Sequence, residues 1–265
     1  MHYIHIHILS AMDVFEAILL GSLQGLTEFL PVSSSGHLVI GQELLGVHIP
    51  GNAFEVVVHL GTLVSVLAVF WRDIAGFVKT IQDKVTRNYI LALAVGTIPA
   101  VICGLFFKDA IQSAFDNVNF VAGALVCTGI ILFVGKWFTG KKDQVSLRNS
   151  LLIGIAQAVA IIPGISRSGS TITAGLCLGV KSESAARFSF LLSIPAISGA
   201  GLLTALDLME SNEPLLSIPV MIAGFFSSFI VGWISLKWLL SLLQSGKFYW
   251  FGFYCVGIGI LVWIV

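Results

Sequence analysis

The chain has 265 residues, 57% of them hydrophobic and 11% charged, and its mean hydropathy of +0.97 excludes an ordinary water-soluble domain. Fourteen Lys and Arg balance fourteen Asp and Glu, so no surplus charge points to nucleic acid or to an acidic partner. The class left is an all-α integral membrane protein, in which runs of about 20 apolar residues are spanning helices.

In chain order, residues 1–12 read as an N-terminal extension. Met1 to Ala11 lack the basic start of a secretory signal, and His5 and His7 alternate with isoleucine, a pattern of a frayed segment or of a small metal-binding strand. A helix is predicted to start near Asp13. Six crossings are predicted at about 54–71, 88–107, 118–136, 188–206, 218–236 and 249–265. Two further apolar stretches, 14–47 and 151–180, are interrupted at Pro31 to Gly36 and at Pro163 to Gly169. Proline removes a backbone donor and pushes its predecessor out of the helical region, so Leu30 and Ile162 are predicted helix ends. The halves are then too short to span. Irregular backbone persists at membrane depth only where it is buried in protein or lines a wet cavity, so both stretches are predicted to be re-entrant helix, loop, helix hairpins that hold the site.

The hairpins correspond at one offset of 133 residues: Gly21 with Gly154, Gln24 with Gln157, Ser33 with Ser166, Ser35 with Ser168, Gly36 with Gly169. That spacing predicts a single domain over 13–265 built from two repeats, about 13–136 and about 146–265. One hairpin and three crossings per repeat would invert the second copy. Connectors 72–87, 136–148 and 237–247 carry ten basic residues, whereas 108–117 and 207–217 carry only Lys108. The positive-inside rule makes the first set cytoplasmic and places both termini outside. The hairpins then enter from opposite faces, and their tips meet near the midplane. Cys103, Cys127, Cys177 and Cys255 stand singly in apolar runs and are expected to pack in the core.

The chemistry is concentrated at the two breaks. Gln24 and Glu28 lie four apart on one helix face, and a carboxylate at membrane depth costs from about 3 kcal/mol upward unless it is paired, hydrated or metal-bound. Ser33, Ser34 and Ser35 precede a new helix start, where a hydroxyl caps. With Gly36 and His37 they also suit an anion pocket that has a hydroxyl nucleophile and an imidazole acid or base; a merely buried, hydrogen-bonded His37 is the other reading. In the second break Ser166, Arg167, Ser168, Ser170 and Thr171 open a helix N-terminus, where phosphate binds readily. Arg167 adds a planar fork for bidentate phosphate contact. A salt bridge between Arg167 and Glu28 is the structural alternative, and an empty site could hold that pair until substrate separates it. Glu43 flanks these motifs. Glu55 and His59 either extend the site or form a satisfied contact, and Lys181 and Arg187 are placed at the cytoplasmic rim by snorkelling.

The segments Gln24-Gly-Leu-Thr-Glu28-Phe-Leu-Pro31-Val-Ser-Ser-Ser-Gly-His37 and Pro163-Gly-Ile-Ser-Arg-Ser-Gly-Ser-Thr171 resemble the two motifs of the bacterial undecaprenyl pyrophosphate phosphatase family of the bacitracin-resistance type. The resemblance covers nearly the whole chain from Asp13. It implies hydrolysis of the C55 lipid pyrophosphate to the monophosphate, recycling the cell-wall lipid carrier in the bacterial inner membrane, with a divalent cation such as Mg2+ or Ca2+. By matching positions it implies Glu28, Ser34, His37 and Arg167 as the catalytic set. Gln24, Ser33, Ser166, Ser168 and Thr171 would line the phosphate site, and Glu28 and Gln24 the metal. The family often has glutamate where this chain has Gln24, which leaves one fewer anionic ligand. Ser34 could attack phosphorus with His37 as base, or His37 could activate water or be phosphorylated. The partners implied are the polyprenyl pyrophosphate and membrane lipids, no nucleic acid, and possibly a second copy in a homodimer. From another class, a transporter or flippase of a polyprenyl phosphate lipid fits the same inverted-repeat pattern.

Overall fold

The computed structural model describes residues 12–47, 53–210, 216–243 and 246–264. Among the described residues there are twelve helices and no strand, only one parallel bridge between Lys142 and Val180. The expectation for His5 and His7 lies outside the described residues.

The first break forms where it was predicted. Helix α1 (Val14–Phe29) opens with a capping box: the Asp13 carboxylate accepts the Glu16 N–H at 2.8 Å, and Glu16 accepts the Asp13 N–H at 2.7 Å. It ends at Leu30, ahead of Pro31, and α2 (Ser34–Leu45) starts after the break. The second break differs from expectation. Helix α8 (Leu147–Val159) closes before Ile162, because the N–H groups of Ile161 and Ile162 donate to Ala158 and Val159, three residues back, at 3.2 Å each. This tighter coil carries the chain to Pro163, and α9 (Arg167–Cys177) follows. At 1.5 Å per residue these four helices run roughly 16–24 Å, short of the ~30 Å hydrocarbon layer.

Each predicted crossing is helical. Helices α5 (Lys84–Phe106), α7 (Val118–Gly135), α10 (Ser182–Glu210) and α11 (Ile218–Leu243) are each long and apolar enough to cross a membrane. Helices α3 (Ala53–Val69) and α4 (Trp71–Lys79) meet the same test only as a pair bent by 63°, and α12 (Trp250–Ile264) is a shorter apolar helix of 15 residues. Two segments read as connectors turn out helical, α4 and α6 (Lys108–Phe115). The bend before α4 falls at Phe70, which is buried and pinned 6.3 Å from Phe190.

The two halves interlock. Helix α1 packs on α11 and α8 packs on α5, so each hairpin leans on a long helix of the other half, while α3 meets α10 and α7 meets α12. The matching glycines permit both approaches. A methyl group at Gly21 would lie 2.7 Å from the Gly224 carbonyl oxygen, and one at Gly154 would collide with the carbonyl of Gly96.

Two separate apolar clusters gather at the hairpins. Met12, Val47, Phe54 and Val220 gather where the first hairpin begins and ends. Val145, Val180, Ala185 and Phe188 gather where the second does. The basic connectors meet beside this second cluster: Lys181 Nζ is 2.7 Å from Asp143, Arg187 pairs with Asp73, and Lys136 lies 4.7 Å over the Tyr249 ring. The largest core comprises Phe29, Leu30, Val32, Phe70, Leu132, Phe190, Leu236 and Cys255 with their neighbours. Of the cysteines Cys255 is buried as expected, but Cys127 and Cys177 are exposed on the outer surface of the bundle, where an apolar thiol suits lipid equally well.

Candidate active site

The two broken tips are built to one local plan and meet each other. At the first, Ser33 Oγ accepts the Gly36 N–H at 3.4 Å and lies 3.2 Å from Ser35 Oγ. At the second, Ser166 Oγ accepts the Gly169 N–H at 3.1 Å and lies 3.2 Å from Ser168 Oγ. A methyl at Gly36 would sit 3.2 Å from the Gly164 Cα, so the tips touch. Gly164 has φ +93, and a Cβ there would lie 2.5 Å from the Val121 carbonyl oxygen, so glycine is required on both counts. Ser168 Oγ donates to the Leu30 carbonyl at 3.2 Å and stitches the second tip to the first break. The plans differ at one bond: Ser33 has φ 68, Ser166 has φ −73. A left-handed, non-glycine residue is a strained conformation of the kind that clusters at functional sites.

Glu28 is the hub between the tips. It is 8% exposed, yet four polar side chains reach it. Arg167 donates to Oε1 at 2.5 Å from the other half of the chain. Ser34 Oγ donates to Oε2 at 2.6 Å, and Gln24 Nε2 donates to the same oxygen at 3.0 Å. His59 Nε2 stands 3.8 Å from Oε2. Ser34 and Arg167 are the first residues of α2 and α9 and stand 133 residues apart, the offset at which the two hairpins correspond. At the same offset from Glu28 the chain carries Ile161. A symmetric frame therefore holds one carboxylate, and both tips point at it.

The remaining predicted residues lie around this hub. Thr171 Oγ1 donates to the Arg167 carbonyl at 2.8 Å and lies 2.6 Å from Ser189 Oγ. His37 is 6% exposed; its Nδ1 is 2.8 Å from the Ser33 carbonyl oxygen and its Nε2 is 2.9 Å from Tyr254 Oη. A carbonyl only accepts, so Nδ1 carries the proton and neutral Nε2 accepts from Tyr254. The two rings are nearly parallel, at 10°.

Sequence reasoning passed over two contributors. Thr128 accepts the Ser166 N–H at 2.9 Å and donates to the Gly164 carbonyl at 2.7 Å, clamping both sides of the second tip from α7. Tyr254 reaches the first tip from α12. Both sit in uninterrupted apolar runs, and only a packing argument across 38 or 217 residues of sequence would have found them. His59 was read as either part of the site or a satisfied contact, and its Nε2 stands 3.8 Å from Glu28 Oε2. Glu55 is bridged by Gln42 Nε2 at 3.0 Å, while Glu43 faces outward.

Among the described residues no three His, Cys, Asp or Glu side chains gather as a metal site. The donors at the hub are more mixed. Gln24 is fully buried, and its Oε1 has no hydrogen-bond partner beside the Glu28 carboxylate. An orphaned buried oxygen next to a carboxylate suits a cation. One guanidinium nitrogen, Arg167 NH1, is likewise buried without a partner.

Residues 17–261 match the sequence profile of the family described as "Bacitracin resistance protein BacA". The chain is 41% identical to a protein of Methanosphaera stadtmanae named undecaprenyl-diphosphatase, over 96% of this chain and 98% of that one. It is 40% identical to a protein of the same name in Halothermothrix orenii, again over 96% and 98%. It is 39% identical to undecaprenyl-diphosphatase 1 of Bacillus cereus, over 95% and 97%.

Proposed function

The chain belongs to the bacitracin resistance protein BacA family, and from that premise we propose that it is an undecaprenyl-diphosphatase, releasing phosphate from a C55 polyprenyl pyrophosphate to recycle the cell-wall lipid carrier. The single observation that carries the reading to a site is the contact between Glu28 and Arg167, 2.5 Å apart although 139 residues separate them.

We read the molecule as six crossings plus two re-entrant hairpins in one domain, over 13–265, of two inverted repeats. The interlocked packing of α1 on α11 and α8 on α5 supports this. It is a multi-pass protein of the cell membrane in this reading, with the basic end cytoplasmic and both termini outside.

The chemistry follows from the hub. Arg167, with one nitrogen on Glu28 and another unpartnered, turns to the pyrophosphate and holds its oxygens as charge develops at the terminal phosphorus. The N-termini of α2 and α9 aim backbone N–H groups at the same anion, with Ser33, Ser166 and Ser168 beside them. Ser34 attacks the terminal phosphorus, Glu28 takes its proton, and the bond to the bridging oxygen breaks, so the lipid monophosphate leaves. Water then hydrolyses the serine phosphate. His37, Thr171 and Gln24 keep the tips in register, and His37 becomes available as a base only when Tyr254 releases Nε2. Gln24 and Glu28 are the residues that would hold a divalent cation, whose chemistry is to neutralise pyrophosphate charge.

Phosphate release by detergent-solubilised protein supplied with the lipid pyrophosphate tests the activity. Release that is lost in Ser34→Ala, with a phosphoserine trapped at residue 34 in the wild type, is the expected result. A polyprenyl phosphate transporter would release none.

A further inference from the structure

We propose that His59 is a direct metal ligand of this site, so that the cation is held by an imidazole nitrogen as well as by oxygens; this rests on the phosphatase reading only for the metal's purpose. The ring is oriented for it. His59 Nδ1 lies 2.7 Å from the Glu55 carbonyl oxygen, which can only accept, so Nδ1 carries a proton and, in the neutral ring, Nε2 offers its lone pair. A histidine that donates one ring N–H to a backbone carbonyl and turns the other nitrogen to a cation is the usual arrangement at protein metal sites. Here Nε2 faces Glu28 Oε2 at 3.8 Å. That is too long for a hydrogen bond, and it is within the roughly 3–4 Å that separates two donors each about 2.1 Å from one ion.

A second, independent observation lies at the same carboxylate. Gln24 is fully buried, its Nε2 is bonded to Glu28, and its Oε1 has no partner. The amide geometry keeps Oε1 next to Nε2, so an orphaned acceptor sits at the carboxylate that His59 faces. His37, by contrast, has both ring nitrogens engaged, by Ser33 and Tyr254. Of the two imidazoles among the described residues, His59 alone has a ring nitrogen turned to the hub without a hydrogen bond of its own.

The donor set is therefore one carboxylate, one amide oxygen and one imidazole. Mg2+ and Ca2+ favour oxygen-only sites, whereas a mixed nitrogen and oxygen set suits divalent transition metals.

Mn2+ gives a readout that does not depend on turnover. The protein is loaded with Mn2+ alone, and with Mn2+ plus methylenediphosphonate, and nitrogen coupling to the ion is measured by pulsed electron paramagnetic resonance. One imidazole coupling is expected, changing to the 15N pattern when the protein is made with 15N-histidine. It should persist when His5 and His7 are replaced by alanine. It should vanish in His59→Ala and His59→Gln, with the Mn2+ dissociation constant raised about 10–100-fold. Absence of nitrogen coupling in the 15N comparison, under both loadings, overturns the proposal even if the variants fail to fold. Coupling that survives in a folded His59→Gln protein also overturns it. Phosphate release is assayed separately on the wild type. Release without coupling sinks the ligand assignment alone, and coupling without release leaves a metal site and sinks the phosphatase reading.

Discussion

Glu28 has its two oxygens divided between partners of different kinds, Arg167 on Oε1 and Ser34 with Gln24 on Oε2. Replacing Arg167 by alanine leaves that buried carboxylate without its countercharge and the pyrophosphate without its fork. Phosphate release should fall by about 10²–10³-fold, and Arg167→Lys should not restore it, since an ammonium cannot make the paired contact. A Lys variant with near-normal kcat/KM would refute the bidentate role. Gly164→Ala is a structural counterpart: φ +93 and the Val121 carbonyl 2.5 Å from a Cβ make the change cost about 1–3 kcal/mol. A lowered unfolding midpoint in detergent is the check. Much of the site was legible at this scale. Glu28 and Arg167 stand out because charge is rare in apolar sequence, and the serines because they adjoin prolines. The φ of Ser33 was not legible, since nothing in a run of three serines says which one takes the left-handed conformation.

At the scale of elements, the tips hold their form through helices far off in sequence. Thr128 on α7 bonds both Gly164 and Ser166. Thr128→Val keeps the shape and strands a buried carbonyl and a buried N–H, so stability should drop by about 1–3 kcal/mol. Chemical denaturation in micelles measures it, and an unchanged midpoint would show that the clamp carries no weight. The close pairings α1 with α11 and α8 with α5 rest on glycines, so Gly154→Leu should disrupt the α8 contact and lower folded yield. Proline and apolar run length revealed the breaks and the long helices. They did not reveal α4 and α6, which are short and amphipathic and so escape a search for unbroken apolar runs. Nor did they show that α8 would stop at Val159, because the switch to three-residue bonds depends on how the chain approaches Pro163.

For the whole molecule, one observation orders the rest: basic connectors meet at one end, through Lys136 with Tyr249, Lys181 with Asp143 and Arg187 with Asp73. In a background without native cysteines, an impermeant thiol reagent on intact cells should label Lys108→Cys and spare Lys141→Cys. The reverse pattern would invert the topology. The 133-residue correspondence was readable in the matched serines and glycines of the hairpins, while the later helices match only in hydropathy. The correspondence stops at the hub, since Ile161 stands 133 residues after Glu28.

The joint grip of Glu28 and Arg167 on one diphosphate is tested most directly by a double-mutant cycle on phosphate release, using Glu28→Gln, Arg167→Ala and the pair together. Residues that act as a unit are strongly non-additive, so the double variant should be barely slower than the worse single one. Losses that multiply would mean that the two side chains act independently, and would contradict a shared site at the meeting of the two tips.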